Sequence, residues 1–182
     1  DYVELEILET RQNSREPEVD VALYASVLKG EHFEFVVEKA TEVGVRRIVP
    51  IVSARTVKLD IRKERLKKII KEAAEQSGRG IVPELAPVME FEKALESARY
   101  ADSKILFDAK GYEFRPEVVQ VSSVAVFVGP EGGWEEDEVE TARSAGFTIV
   151  SLGQLVLRAE TAAAVASYLA VRGGVWTRDS GS

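Results

Sequence analysis

Five short apolar runs, separated by longer amphipathic stretches, dominate the hydrophobic pattern of the chain. The runs lie at 20–27, 47–52, 103–107, 124–128 and 147–152. Short apolar runs of this kind are typical of strands buried on both faces. Helices are predicted between and after them, at 31–43, 62–77, 90–98, 135–145 and from Glu160 onward. Strands that alternate with helices predict an α/β fold, with a mostly parallel sheet and helices on both of its faces.

Two of the predicted strands end in loops that contain glycine. Gly129-Pro130-Glu131-Gly132-Gly133 follows the strand at 124–128, and a loop with Gly153 and Arg158 follows the strand at 147–152. In open α/β sheets, ligands bind at the carboxyl ends of strands. One such loop is as compatible with an ordinary strand-to-helix turn as with a site. The two together, with an arginine in the second, favour a ligand site.

The charge beside the first loop restricts the ligand. Glu135, Glu136, Asp137 and Glu138 open the next predicted helix, where they complement the helix dipole and would repel a phosphate dianion. The sequence contains neither G-x-G-x-x-G nor G-x-x-x-x-G-K-[ST], so neither nucleotide fingerprint is met. A neutral or cationic ligand, held largely by backbone groups, fits this loop better.

Composition excludes several classes of protein. The 182 residues are 45% hydrophobic and 30% charged, as expected for one globular domain. No apolar run approaches the roughly 20 residues that span a bilayer, and no signal peptide is visible. We therefore expect a cytoplasmic protein without a membrane partner. With no cysteine and one histidine, a metal site is not expected, and His32 is interpreted as a structural residue.

The net charge of −7 is unfavourable for a domain that binds RNA by itself, because phosphate contacts need clustered basic residues. The densest basic run is Lys63, Arg65, Lys67, Lys68 and Lys71, on the predicted helix at 62–77. This run is either a solvated helix face, which we favour, or a basic stripe that faces RNA.

Four sequence blocks, in order, carry a resemblance to a known family. They read E-K-A-T-E-V-G-V-R-R-I-V-P at 38–50, E-A-A-E-Q-S-G-R at 72–79, V-G-P-E-G-G-W at 128–134 and L-G-Q-L-V-L-R-A-E-T-A at 152–162. Over residues 20–173 the chain resembles the SPOUT class of trefoil-knotted RNA methyltransferases. Within that class it is similar to the 16S ribosomal RNA uridine-N3 methyltransferase family. The G-P-E-G-G loop alone would identify only the wider class.

The resemblance implies a fold, a cofactor and a reaction. It implies a C-terminal trefoil knot, a homodimer, and methylation of uridine N3 in ribosomal RNA or the small-subunit particle. The cofactor would be S-adenosylmethionine, whose positive sulfonium tolerates an acidic neighbourhood, and no metal is implied. Residues 1–18 would be a remnant of an N-terminal PUA-like RNA-binding domain with its linker, and residues 1–10 would be the final strand of that domain. Residues 19–174 would be the methyltransferase domain and 175–182 a tail.

The resemblance also implies roles for individual residues. RNA-binding positions would be Arg55, Gln76 and Arg79. Arg158, a permanent cation, is the candidate for stabilising the uridine anion. Glu160 is either an acid/base group or the dipole-matched first residue of a helix, and Leu155 replaces a basic residue common in relatives. Cofactor-binding positions would be Phe107, Gly129, Pro130, Glu131, Gly132, Gly133, Leu152, Gly153, Leu157 and Thr161, of which Thr161 alternatively caps the last helix.

Two other functions stay open. One is a knotted methyltransferase that acts on a tRNA ribose 2′-hydroxyl or on another base. The R-A-E-T-A segment and the block at 72–79 favour the uridine-N3 family over it. The other is a non-catalytic RNA-binding module for ribosome assembly. The presence of Arg158 and of both glycine loops argues against that function.

Overall fold

A parallel sheet forms the centre of the computed structural model, which describes residues 2–10, 16–57, 61–113, 117–118, 121–172 and 174–175. The strands are β1 (Asp20–Ser26), β2 (Arg47–Val52), β3 (Glu84–Leu85), β4 (Met89–Glu90), β5 (Ser103–Glu113), β6 (Glu117–Val118), β7 (Ser123–Val128), β8 (Thr148–Ser151) and β9 (Gly174–Val175). The helices are α1 (Glu31–Val43), α2 (Lys63–Ser77), α3 (Phe91–Ser97), α4 (Glu136–Ser144) and α5 (Ala159–Val171). The main sheet has the order β3-β2-β1-β7-β5-β8, with β4 also paired to β2.

Every strand pair of the main sheet is parallel, which confirms the predicted α/β class. Neighbouring side chains on a strand point to opposite faces, so each buried strand serves two cores. Leu23 and Val126 face a core formed with α1, α2 and α5. Tyr24 and Phe127 face a second core with α3 and α4, where their rings stack with centroids 4.3 Å apart. Helices on both faces are thereby confirmed.

The strand β5 is longer and less regular than the sequence indicates. Residues 112–122 are expected to be irregular, yet β5 continues to Glu113, and Glu117–Val118 pairs antiparallel with Gly174–Val175. The register between β5 and β8 shifts between Phe107 and Tyr112. Gly111 makes this possible, because a Cβ atom there would lie 2.5 Å from the carbonyl carbon of Val150. Residues 108–110, within this irregularity, have no partner in the pairing of β5 with β8.

Residues 2–10 differ from the prediction. The alternating pattern at 2–8 predicts a strand, but the structure assigns no secondary structure to this segment, and its apolar side chains are exposed. A strand needs a neighbouring strand for its backbone hydrogen bonds, and no strand pairing among the described residues includes this segment. The trefoil knot and the three domain ranges stay predictions. The predicted tail lies, after Val175, outside the described residues.

Part of the predicted linker packs against the domain. The Glu16 carboxylate meets Arg79, just after α2, and Pro17 lies against Gly44, which ends α1 with a φ of 108°. A Cβ atom on Gly44 would lie 2.5 Å from the Pro17 side chain. Residues 16–17 therefore pack against the α/β unit.

Candidate functional site

A cavity of about 550 Å³ opens at the carboxyl edge of the sheet. Its walls come from β5, from the loops that follow β7 and β8, and from the first turns of α1 and α5. The two glycine loops singled out from the sequence thus meet in one site. The predicted residues that line it are Phe107, Gly129, Pro130, Glu131, Gly133, Leu152, Gly153, Leu157, Arg158 and Glu160. Gly132 and Thr161 do not line it.

Trp134 holds the first glycine loop in place. Its ring is buried, and its Nε1 donates a hydrogen bond of 2.9 Å to the backbone oxygen of Phe107 at the end of β5. A Cβ atom on Gly129 would lie 2.9 Å from Cε2 of this ring. Gly129 is therefore required by the packing of Trp134, and not by space for a ligand. Sequence reasoning did not assign Trp134, although it follows the glycines directly.

Gly133 and Gly153 leave their backbone open to the cavity. Their φ angles are 70° and 114°, values that favour glycine, and a Cβ atom on either would meet nothing within 4 Å. The space beside both glycines is therefore free for a ligand that approaches the backbone closely. This is the arrangement expected for recognition by backbone groups.

Arg55 braces the first loop from outside the cavity. Its Nε and Nη2 donate to Oε1 and Oε2 of Glu135 at 2.8 and 3.0 Å, and its Nη1 donates to the Gly132 oxygen at 2.6 Å. The hydrogen bond from Arg55 lowers the pKa of Glu135. The guanidinium is thus engaged within the protein and braces the loop, while the implied RNA contact stays a prediction. Gly132 lines a neighbouring cavity beside Arg55.

The acidic start of α4 is partly neutralised by hydrogen bonds. Glu135 and Glu138 form a capping box, in which a Glu138 oxygen accepts from the Glu135 N–H at 2.8 Å. The other Glu138 oxygen accepts from the Ala54 N–H, also at 2.8 Å. Glu138 is buried, so it joins the loop after β2 to the loop after β7. Two of the four carboxylates are therefore structural.

Arg79 is buried in an internal network, and the implied RNA-binding role stays a prediction. Its side chain is 6% exposed, and its Nη2 lies 2.9 Å from Oε2 of Glu16. Its Nη1 donates to the backbone oxygens of Thr41 and Val45 at 3.0 and 2.6 Å. Burial opposes ionisation of Glu16, but Arg79 and two backbone N–H groups outweigh it, and the pKa of Glu16 is lowered. Gln76 is exposed near the end of α2.

The basic run on α2 is compensated by carboxylates. Arg65 forms an ion pair with Glu34 of α1, and three of the lysines have partners on α2 itself. The lysine pairs are Lys67 with Glu64, Lys68 with Glu72 and Lys71 with Glu75. These contacts favour a solvated face over a stripe that binds phosphate.

Two ionisable side chains from α1 and α5 meet at the mouth of the cavity. His32 Nδ1 lies 3.1 Å from Glu160 Oε1, and their side chains are 50% and 12% exposed. His32 was interpreted as structural, but it lines the cavity. The sequence signal that could have shown this was its position at the start of α1, shortly after β1, whose carboxyl end lies at the same edge of the sheet. Thr161 is exposed, and no side chain caps α5.

Arg158 is exposed at the start of α5 and lines the cavity. Its side chain has no hydrogen bond or ion pair with any residue that the structure describes. Glu131 is likewise without such a partner in the described ranges, so no hydrogen bond anchors its loop through this side chain. Arg158 therefore offers an uncommitted planar cation to a ligand.

Neither a metal site nor a membrane span is found where the structure describes the chain. The described ranges bring together no group of three or more His, Cys, Asp or Glu side chains that could hold a metal ion. Among the helices assigned in those ranges, none is long and apolar enough to cross a membrane.

An open parallel sheet, covered on both faces and with a loop-built cavity at its carboxyl edge, defines an α/β domain that binds a small ligand. The chain belongs to the RNA methyltransferase domain family, whose model matches residues 15–171. This match confirms the resemblance drawn from the four sequence blocks.

Curated relatives and solved structures agree with this membership. The chain is 33% identical over 165 residues to the ribosomal RNA small subunit methyltransferase E of Mesomycoplasma hyopneumoniae, with 87% of this chain and 72% of the relative covered. It is 33% identical over 181 residues to the Bacillus subtilis enzyme of the same name, with 89% and 69% covered. The Neisseria gonorrhoeae enzyme of that name, solved bound to S-adenosyl methionine, matches with a TM-score of 0.81, 31% identity, and 86% and 67% coverage.

Proposed function

We propose that this chain transfers a methyl group from S-adenosylmethionine to small-subunit ribosomal RNA, with N3 of a uridine as the target. The observation that carries the proposal is the cavity that joins Gly129–Trp134 to Gly153–Arg158. The related enzymes named for small-subunit ribosomal RNA, one of them bound to S-adenosyl methionine, support it. Uridine N3 is the atom implied by the sequence resemblance.

The residues of the cavity fit S-adenosylmethionine. Its volume of about 550 Å³ lies within the range of roughly 300–1,000 Å³ typical of small-molecule sites. Val128, Leu152 and Leu157 supply apolar wall, and the open backbone at Gly133 and Gly153 allows close approach. Carboxylates at the cavity, including Glu131, suit a cationic sulfonium.

The residues of this chain would hold and stabilise the substrate. When bound, the cofactor supplies an electrophilic methyl group. Uridine N3 carries a proton at neutral pH, so its methylation requires removal of that proton and stabilisation of the anion. Arg158 is exposed, uncommitted among the described residues and adjacent to Gly153, so its guanidinium is suited to bind the developing anion.

Binding and product analysis test this proposal. Calorimetry should show one site per chain for S-adenosylmethionine or S-adenosylhomocysteine. Small-subunit RNA or particles treated with the protein, then digested to nucleosides, should contain 3-methyluridine by mass spectrometry. A methyl group on ribose would contradict the target, and the absence of cofactor binding would contradict the activity.

A glycine pair gives a matched control. Gly153→Val should abolish cofactor binding, because the side chain would enter the open space of the cavity. Gly30→Val carries a similar backbone penalty, since Gly30 has a φ of 55° and open space around it, but Gly30 does not line this cavity. It should bind the cofactor normally once folded. Equal loss in both variants would show that backbone strain, and not the cavity, is responsible.

We further propose a homodimer in the cytoplasm, where ribosomal RNA is modified. Apolar residues near the cavity are exposed, with Leu155 82%, Val156 85%, Val165 37% and Tyr168 52% accessible. Burying them against a second copy would remove this surface from water. Light scattering should give twice the chain mass, and Tyr168→Asp should give a monomer. A wild-type mass of one chain would contradict the dimer.

A further inference from the structure

His32 presents one of its two ring nitrogens to a sheltered carboxylate, and the residue lines the cavity. Nδ1 lies 3.1 Å from Glu160 Oε1, while Nε2 has no hydrogen-bond partner in the part of the chain that the structure describes. Glu160 is 12% exposed, so this contact is sheltered, whereas the imidazole is half exposed beside the open space. The pair joins residues 128 positions apart, from α1 and α5.

We propose that His32 is the general base that accepts the N3 proton of the target uridine, and that Glu160 is the positioning residue that orients it. The inference rests on the proposed function. An ionised carboxylate can only accept a hydrogen bond, so Nδ1 must carry a proton and donate it to Glu160. The lone pair of the neutral ring then lies on Nε2, which is free to accept a proton.

The step balances without a further reactant. The N3–H proton moves to Nε2 as the N3 electron pair forms the bond to the methyl carbon. The carbon–sulfur bond breaks with its electron pair returning to sulfur, so the positive sulfonium becomes a neutral thioether. The positive charge now resides on the His32 imidazolium, next to the Glu160 carboxylate, and the proton leaves to water. Arg158 would stabilise the uracil oxygens while this charge moves.

Several charged groups line the same cavity as the imidazole or adjoin it in sequence. Arg158 and Glu160 come from the start of α5, Asp108 from the β5 bulge and Glu131 from the glycine loop, while Lys29 and Glu31 adjoin it on its own segment. The next charge on α1, Glu34, is paired with Arg65 of α2. Glu160 is the group in hydrogen-bond contact with the ring.

The tautomer of the single histidine is a direct test that needs no turnover. His32 is the only histidine of the sequence, so labelled histidine gives one set of ring signals in a nuclear magnetic resonance spectrum. Above neutral pH the nitrogen shifts should show the proton on Nδ1. Glu160→Gln should raise the fraction with the proton on Nε2, because an amide no longer requires a donor. A wild-type ring that carries its proton on Nε2 overturns the proposal.

Kinetics with a matched variant separate this inference from the proposed function. His32→Asn keeps an N–H donor in place of Nδ1 but has no base. It should keep the wild-type affinity for S-adenosylhomocysteine while single-turnover methylation falls roughly a hundredfold to ten-thousandfold.

Each failure has its own signature. If the wild-type chain neither binds the cofactor nor methylates RNA, the proposed function is wrong. If the wild type methylates RNA and His32→Asn does so at the same rate, His32 is not the base, and the proposed function stands.

Discussion

The replacement Arg79→Ala separates a structural role for this residue from an RNA-binding one. It removes the hydrogen bonds of 3.0 and 2.6 Å to the Thr41 and Val45 oxygens and the contact with Glu16, all in a setting where Arg79 is 6% exposed. Glu16 keeps its backbone donors Gly80 and Ile81 but loses its cation. Breaking a buried ion pair by removing one partner costs about 3–5 kcal/mol.

This loss is large beside the whole stability of a domain, which is about 5–15 kcal/mol. For a chain of this size each kcal/mol corresponds to about 2–4 °C, so the melting temperature should fall by roughly 6–20 °C. Calorimetric or circular-dichroism melting measures the change. Arg79→Lys should recover only part of it, because one ammonium cannot reach both the carboxylate and the two carbonyls.

A matched control uses an exposed arginine with a similar partner. Arg46 donates to Asp20 at 2.7 Å, but the two side chains are 43% and 59% exposed. Exposed pairs contribute about 0–1 kcal/mol, so Arg46→Ala should shift the melting temperature by only a few degrees at most. An unchanged melting temperature in Arg79→Ala, together with weaker binding to small-subunit RNA, would refute the structural role and support the RNA-binding role.

Three further predictions concern the site and the pH dependence. Arg158→Ala should lower single-turnover methylation about a hundredfold or more with cofactor affinity unchanged, and an equal loss of both would mean that Arg158 only braces the loop. Gly129→Ala should lower the melting temperature and weaken cofactor binding together, because its Cβ would collide with Trp134. The double variant Gly129→Ala, Trp134→Phe should not recover the Phe107 hydrogen bond, because phenylalanine has no N–H donor. Because the pKa of Glu16 is lowered on folding, its contribution is complete above its unfolded value of 4.5 and is lost as pH falls through the folded value. Melting at pH 7 and pH 3 should therefore show a smaller acid loss in Glu16→Gln than in wild type.

Local pattern was sufficient for the scaffold of the domain. The run at 47–52 became β2 and the pattern at 31–43 became α1, because composition and periodicity are properties of adjacent residues. The glycine loops were found because parallel strands place their carboxyl ends at one edge. The family blocks supplied the cofactor and the reaction, which no periodicity contains.

Partners distant in sequence account for what the pattern did not show. The sequence does not show that Arg79 contacts Glu16, because Glu16 lies 63 residues earlier. It likewise does not show that Arg55 contacts Glu135, which lies 80 residues later. His32 was interpreted as structural because its hydrogen-bond partner, Glu160, lies 128 residues later in the sequence. Single-sequence reasoning can name charges, but it cannot tell which of them neutralise one another.

The order of the strands has a consequence for how the chain acquires its structure. β7 lies between β1 and β5 in the sheet, so the centre of the sheet can form only after β7 has been synthesised, long after β1. Until then β1 lacks one neighbour, and the apolar residues of α1 lack α5, which covers them. Because loop closure over such separations must precede the stabilising contacts, we expect slow folding that completes only after synthesis of α5. An N-terminal fragment ending before Ser123 should expose apolar surface and bind chaperones.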